Sequence, residues 1–271
     1  MNILSLFDGM SCGRIALDRA GVQVDNYYAS EVDKYAIQIA KKNYPETHQL
    51  GDVRKICVTN AKKYNIDLLM GGSPCQGFSF IGKNLNFADP RSKLFFDFYR
   101  FLTGLKPRWF LLENVLMNKK SQNVISSYLG VEPVMLDSSL VSAQSRKRLY
   151  WTNIPIGHLD DKQISISDVV GEKAVGCARR ARYINGKYGR THQQLEFRTD
   201  DKANAMTTVR KNCMVFLPNQ GEARYVNVKE AEELQTVPNG YTGGVSDTQR
   251  FRMLGNGWTV DVISHILKGI Q

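Results

Sequence analysis

Within its first 150 residues the chain alternates short apolar runs with amphipathic segments, and this constrains the fold more than any other feature. Residues 3–6 and 24–30 read as strands, and residues 13–20 as a short helix closed by Gly21. Residues 33–43 carry Tyr35, Ala36, Ile39 and Ala40 at helical spacing, with Asp33 as the N-cap. A strand at 66–70, a helix at 92–105 with aromatics on one face, and strands at 108–112, 131–136 and 149–152 complete the series. Such alternation predicts an α/β fold, a mostly parallel sheet with helices on both faces.

After Asn153 the pattern changes. The stretch to Arg224 is polar, lacks long periodic segments and carries Arg179, Arg180, Arg182, Lys187, Arg190, His192, Arg198, Arg210 and Lys211. We expect a smaller, irregular domain there with a basic surface. Helical patterns return at 228–235 and 258–268, so the expected division is 1–152 plus 224–271 against 153–223.

The chain has 271 residues and a formal net charge of +10, which favours a polyanionic partner, nucleic acid first. No apolar run reaches the length of a membrane span, and the first eight residues lack the basic region and cleavage site of a signal peptide. The five cysteines are odd in number and none form C-x-x-C pairs, which argues against a disulfide framework or structural zinc and for a reducing, cytoplasmic setting. No metal site is expected.

Candidate chemistry collects where strands end. Phe7-Asp8-Gly9-Met10-Ser11-Cys12-Gly13 joins the first strand to the first helix, and its small residues let a ligand approach the backbone. Glu31 and Val32 follow the second strand, where a carboxylate can bind ribose hydroxyls. Asp52-Val53 follows the next element, its carboxylate placed to accept from an exocyclic amine. Together these loops describe a nucleoside pocket. Pro74-Cys75 follows the strand at 66–70, with Gly71, Gly72 and Gly77 freeing the backbone around the thiol. Glu113-Asn114-Val115 ends the strand beside it. A thiolate attacking an aromatic ring needs that ring made electrophilic, and a protonated Glu donating to a ring nitrogen supplies this. Pairing of Glu113 with an Arg is compatible with that role. Alternation along Gln144-Ser145-Arg146-Lys147-Arg148 points both arginines to one side, to bind phosphate or to fix Glu113.

With these residues in order, the chain resembles the DNA cytosine-5 methyltransferases over nearly its whole length. Phe7-Asp8-Gly9 with Gly13, Pro74-Cys75-Gln76, Glu113-Asn114-Val115, Gln144-x-Arg146-x-Arg148, Glu233-Leu234-Gln235 with Pro238 and Tyr241, and Leu254 to Val260 resemble successive family motifs. Ser11-Cys12 stand where many bacterial members have a Gly pair, and Gly257 where Ser is common. Phe7-Asp8-Gly9, Leu94-Phe95-Phe96 and Trp258 are closer to the animal de novo enzymes. The resemblance implies a Rossmann-like methyltransferase fold with a target-recognition domain. It implies S-adenosyl-L-methionine as cofactor, S-adenosyl-L-homocysteine as product and double-stranded DNA as partner. Cys75, Glu113, Arg146 and Arg148 become the catalytic set. Phe7, Asp8, Gly9, Ser11, Cys12, Glu31, Val32, Asp52, Val53, Pro74, Leu94, Asn256, Gly257 and Trp258 become the cofactor set. A bacterial or phage enzyme fits the compact length, with a cognate restriction enzyme as a further candidate partner and the oligomeric state open.

Two other readings compete. A tRNA cytosine-5 methyltransferase would usually show a different residue after Pro-Cys and a Cys-Phe-Thr signature, which is absent. A non-catalytic DNA-binding relative would have lost Cys75 or Glu113. Residues 76–91 resemble the family's mobile loop, with Gly77 and Gly82 as flexible points. Gly82→Pro is expected to slow turnover more than it weakens cofactor binding; equal kinetics for variant and parent would sink that expectation.

Overall fold

A computed structural model of the chain describes residues 1–73, 93–184 and 187–270. It separates into two compact units, residues 1–136 with 147–158 and 263–271, and residues 137–146 with 159–262. The second is larger than the segment 153–223 marked out by composition.

The first unit is built on a seven-stranded sheet in the order β3-β2-β1-β4-β5-β8-β6. Its strands are β1 (Asn2–Leu6), β2 (Asn26–Ser30), β3 (His48–Gln49), β4 (Leu68–Gly72), β5 (Trp109–Val115), β6 (Val134–Asp137) and β8 (Lys147–Thr152). β1 pairs in parallel with both β2 and β4, β2 with β3, and β4 with β5, whereas β8 runs antiparallel to β5. The chain therefore winds outward from β1 in one direction and restarts at β4 in the other. In open α/β sheets ligands bind beyond the strand ends at such a reversal, here the C-terminal ends of β1 and β4.

Local chemistry accounts for the elements. Helices α1 (Cys12–Ala20), α2 (Lys34–Asn43), α3 (Val58–Ala61), α4 (Lys93–Leu105) and α5 (Lys119–Leu129) intervene between strands. The Asp33 carboxylate caps α2 through the amides of Tyr35 and Ala36, as expected. On α4 the aromatic face expected from sequence buries Phe95, Phe98 and Phe101 against Leu4, Leu6, Leu69, Leu112 and Trp151. Gly71 permits close approach of two strands, since a Cβ there would lie 2.9 Å from the carbonyl oxygen of Leu6 on β1. Gly71→Ala is expected to cost about 1–3 kcal/mol by overpacking, read as a lower denaturation midpoint; unchanged stability would contradict the close approach.

The second unit holds a four-stranded antiparallel sheet, β10-β9-β12-β13, formed by β9 (Val175–Ile184), β10 (Lys187–Phe197), β12 (Met214–Leu217) and β13 (Glu222–Tyr225). The segment expected to lack regular elements contains a hairpin with strands of 10 and 11 residues, its register broken between Tyr188 and Gln193. A small parallel pair joins β7 (Gln144–Ser145) to β11 (Ala203–Asn204). Helices α6 (Ile166–Val170) and α7 (Val228–Leu234) both open with capping boxes, and α8 (Asp247–Asn256) follows. The last helix, α9 (Val260–Leu267), begins after Thr259. Among the described residues no helix is long and apolar enough to cross a membrane.

Candidate active site at the strand ends

The loop after β1 is held in an unusual conformation. Phe7, Gly9 and Ser11 adopt φ of 57°, 62° and 64°. For Phe7 and Ser11 this costs about 1–3 kcal/mol each, and it persists because the surroundings over-determine it. Asp8, 9% exposed, accepts from the Ser11 hydroxyl and the Tyr27 hydroxyl, each at 2.6 Å. The Asp8 amide donates to the carbonyl of Ser30 at the end of β2. Glu31 binds the same loop, its Oε2 accepting from the Gly9 amide at 2.8 Å while Oε1 accepts from the amides of Val32 and Asp33. Cys12, at the start of α1, is buried.

Burial pushes the Asp8 carboxyl up to about 6, against hydrogen bonds from Ser11, Ser5 and Tyr27 that lower it, with nearby Glu31 adding to the rise. A carboxyl raised on folding takes up a proton more readily folded than unfolded between pH about 4 and 6, so stability falls as pH rises through that window. Compared with Asp8→Asn, the parent is expected to lose up to about 3 kcal/mol between pH 4 and 7 in urea denaturation. A parent–variant difference that does not change with pH would contradict this.

The third loop completes the set. Ser30 donates to the carbonyl of Gly51 at 2.7 Å. Asp52 caps a short 3-10 turn and is held by the Arg54 side chain at 2.6 Å. That hydrogen bond lowers the Asp52 carboxyl to about 2, so it is an acceptor at any physiological pH. Val53 is buried, whereas Val32 is 69% exposed and offers an apolar face beside Glu31.

The ends of β4 and β5 come together as the sequence led us to expect. Gly72 lies opposite Glu113 in the parallel register. The Asn114 amide, itself buried, donates to the Ser73 hydroxyl at 3.1 Å and to its carbonyl at 3.4 Å, fixing the residue that leads into Pro74-Cys75. Pro74, Cys75 and the rest of 76–91 lie outside the described residues. Leu94 packs against the aromatic core from the first turn of α4. On β8, the Arg148 Nε lies 3.0 Å from Glu113 Oε1, with both side chains largely buried. The register sets Arg148 opposite Val115 and Tyr150 opposite Glu113, so the ion pair is a diagonal cross-strand contact.

Arg146 departs from the expectation of two arginines doing one job. It stands in the break between β7 and β8, where its amide donates to Asp137. Its guanidinium, 6% exposed, donates to the carbonyls of Met206 (2.5 Å), Gly257 (3.0 Å) and Gly255 (3.3 Å). These groups all belong to the second unit. There a buried network joins segments far apart in sequence. Gln144 donates to Leu234 and Gln235, Gln235 to the carbonyls of Leu254 and Gly257, and Thr259 to Gln235. A Cβ on Gly255 would lie 2.4 Å from the backbone carbon of Thr207. Asn256, Gly257 and Trp258 at the end of α8 are therefore tied to Arg146 through the carbonyls of Gly255 and Gly257. Gln144 and Gln235, quoted from the sequence only as motif residues, are both fully buried.

The family described as C-5 cytosine-specific DNA methylase matches residues 1–157 and 138–271. The type II methyltransferase M.NlaX of Neisseria lactamica is 28% identical across 99% of this chain and 96% of its own length. The type II methyltransferase M1.ScrFI of Lactococcus lactis subsp. cremoris is 27% identical across 97% of this chain and 76% of its own length. Among solved structures, the Entamoeba histolytica methyltransferase EhMeth superposes with a TM-score of 0.73 at 18% identity, covering 100% of this chain and 97% of that one. The S. pombe Dnmt2 methyltransferase gives 0.71 at 17%, covering 99% and 97%. These two bear on the fold alone.

Proposed function

Given that the chain belongs to the C-5 cytosine-specific DNA methylases and is a DNA (cytosine-5-)-methyltransferase, we propose that Cys75, Glu113 and Arg148 act together on a cytosine turned out of duplex DNA. The target ring is inaccessible inside the stack, so it must leave the helix. The Cys75 thiolate adds to C6, and the electrons of the C5–C6 bond become available at C5. Glu113 engages N3 and so favours this addition, and Arg148 orients Glu113. The observation that carries the reading is the Glu113–Arg148 ion pair beside the Asn114–Ser73 contact, two residues before Cys75.

The family uses S-adenosyl-L-methionine, which supplies an electrophilic methyl group. The crevice residues suit it. Glu31 has four lone-pair sites and gives three to backbone amides, leaving one for a ribose hydroxyl. Val32 offers an apolar plate for the adenine, Asp52 an ionised acceptor for its amine, and the Phe7–Ser11 turn a backbone cradle. We assign Asp8, Cys12 and Val53 the shaping of these loops, and Arg146 the holding of the segment that carries Asn256, Gly257 and Trp258. Residues 153–223 serve as the target-recognition region. A further candidate partner is an endonuclease that cuts the same site when it is unmethylated, with methylation protecting it.

Transfer of label from tritiated S-adenosylmethionine to duplex DNA and to tRNA, with parent and Cys75→Ala side by side, tests the reading. Label in DNA that vanishes with Cys75→Ala is expected. Label in tRNA alone would move the chain to the RNA-directed branch.

A further inference from the structure

The hairpin of β9 and β10 leaves the body of the second unit at a definite point. Successive strand residues point to opposite faces. Cys177 and Ala178 are both buried, so both faces of β9 are covered there. Arg179 and Arg180 are both exposed, and so are Gln193 and Gln194 on β10. At Arg179 and Arg180, then, side chains on both faces of the hairpin are exposed. The backbone from Arg179 to Ile184 reaches roughly 17 Å at the usual rise per residue. Residues 175–197 hold five Lys and Arg against one acidic residue, a net +4 within a chain of +10. The partner is a polyanion of known identity, and the major groove of B-DNA admits a two-stranded ribbon.

The register sorts the exposed side chains. Arg180 lies opposite Gln194, and Arg179 and Ala181 lie opposite Leu195 and Gln193. One face thus presents Arg180 with Gln194, and the other presents Arg179 with Gln193 as diagonal neighbours. The first face is already engaged, because Arg180 pairs with Glu196 at 3.6 Å and donates to Asn204 at 3.4 Å. Among the described residues no side chain takes up Arg179 or Gln193. The register then shifts between Tyr188 and Gln193, where β10 gains extra residues over β9 and bends the ribbon.

We propose that this ribbon enters the major groove and that Arg179 and Gln193 read bases of the target site. Arg suits the two acceptors of guanine, and Gln the donor and acceptor of adenine. The inference rests on the DNA methyltransferase reading above and adds the residues that set its sequence preference.

The experiment treats mixed genomic DNA with the parent, Arg179→Lys and Gln193→Ala, and maps methylated cytosines by bisulfite sequencing. Arg179→Lys keeps the charge and loses the two-pronged fork. Each variant is expected to lower the rate at the parent's sites by ten-fold or more and to relax one base position, with melting temperature and S-adenosylmethionine binding unchanged. The same sites methylated at the same relative rates would overturn the inference while leaving the methyltransferase reading intact. A fall shared equally by all sequences would also overturn it, marking a phosphate contact. A parent that methylates no DNA would overturn the underlying reading and this inference with it.

Discussion

Cys75→Ala is expected to abolish methyl transfer to DNA, by ~10⁴-fold or more, while S-adenosylmethionine binds within a few-fold of the parent. An alanine cannot add to C6, and without that addition C5 of cytosine is a poor nucleophile. The cofactor-side loops are held by their own contacts: Gly9 to Glu31, Ser30 to Gly51, Asp52 to Arg54. None of these involves the thiol, so binding and chemistry separate cleanly. Steady-state transfer together with calorimetric titration of the cofactor checks both halves. A variant with even one-tenth of parental turnover would remove covalent addition from the mechanism.

Glu113→Gln is expected to lower kcat by roughly 10²–10⁴-fold, the usual worth of a placed acid or base. The glutamine keeps the size of the side chain and its place at the end of β5, opposite Gly72. It loses the ability to exchange a proton with the ring nitrogen and weakens the partnership with Arg148, 3.0 Å away. Binding of DNA should change far less than kcat. A matching loss of binding with unchanged kcat would make Glu113 a structural partner of Arg148 and nothing more.

Much of the first unit was legible because strands such as β1 and β4 are short apolar runs ended by a turn, and helices such as α2 and α4 bury one face. The aromatic spacing on α4 and the Asp33 cap are direct examples. Helix α5 was missed because its inward face is built partly of serines: Ser121 and Ser126 are buried, and Ser126 accepts from the Trp151 indole. The β9–β10 hairpin was missed for another reason. On β9 the neighbours Cys177 and Ala178 are both buried and the next pair, Arg179 and Arg180, both exposed, so burial does not alternate there. In the site, the pairing of Glu113 with Arg148 was one of the roles the sequence left open for the two arginines, whereas the fate of Arg146 was not among them. Alternation holds only within a continuous strand, and the break between β7 and β8 falls at that residue. Gln144 and Gln235 were quoted only as motif residues, and isolated glutamines carry no periodicity that would mark them as a buried network.

The account turns on a covalent bond between Cys75 and the target base. Duplex DNA bearing 5-fluorocytosine tests it most directly, since fluorine cannot depart as the C5 proton does and the adduct is held. After incubation with S-adenosylmethionine, digestion and peptide mass spectrometry should find the modified base on Cys75, with none formed by Cys75→Ala. A parent enzyme that methylates ordinary DNA but yields no adduct, or one attached to another residue, would contradict the account.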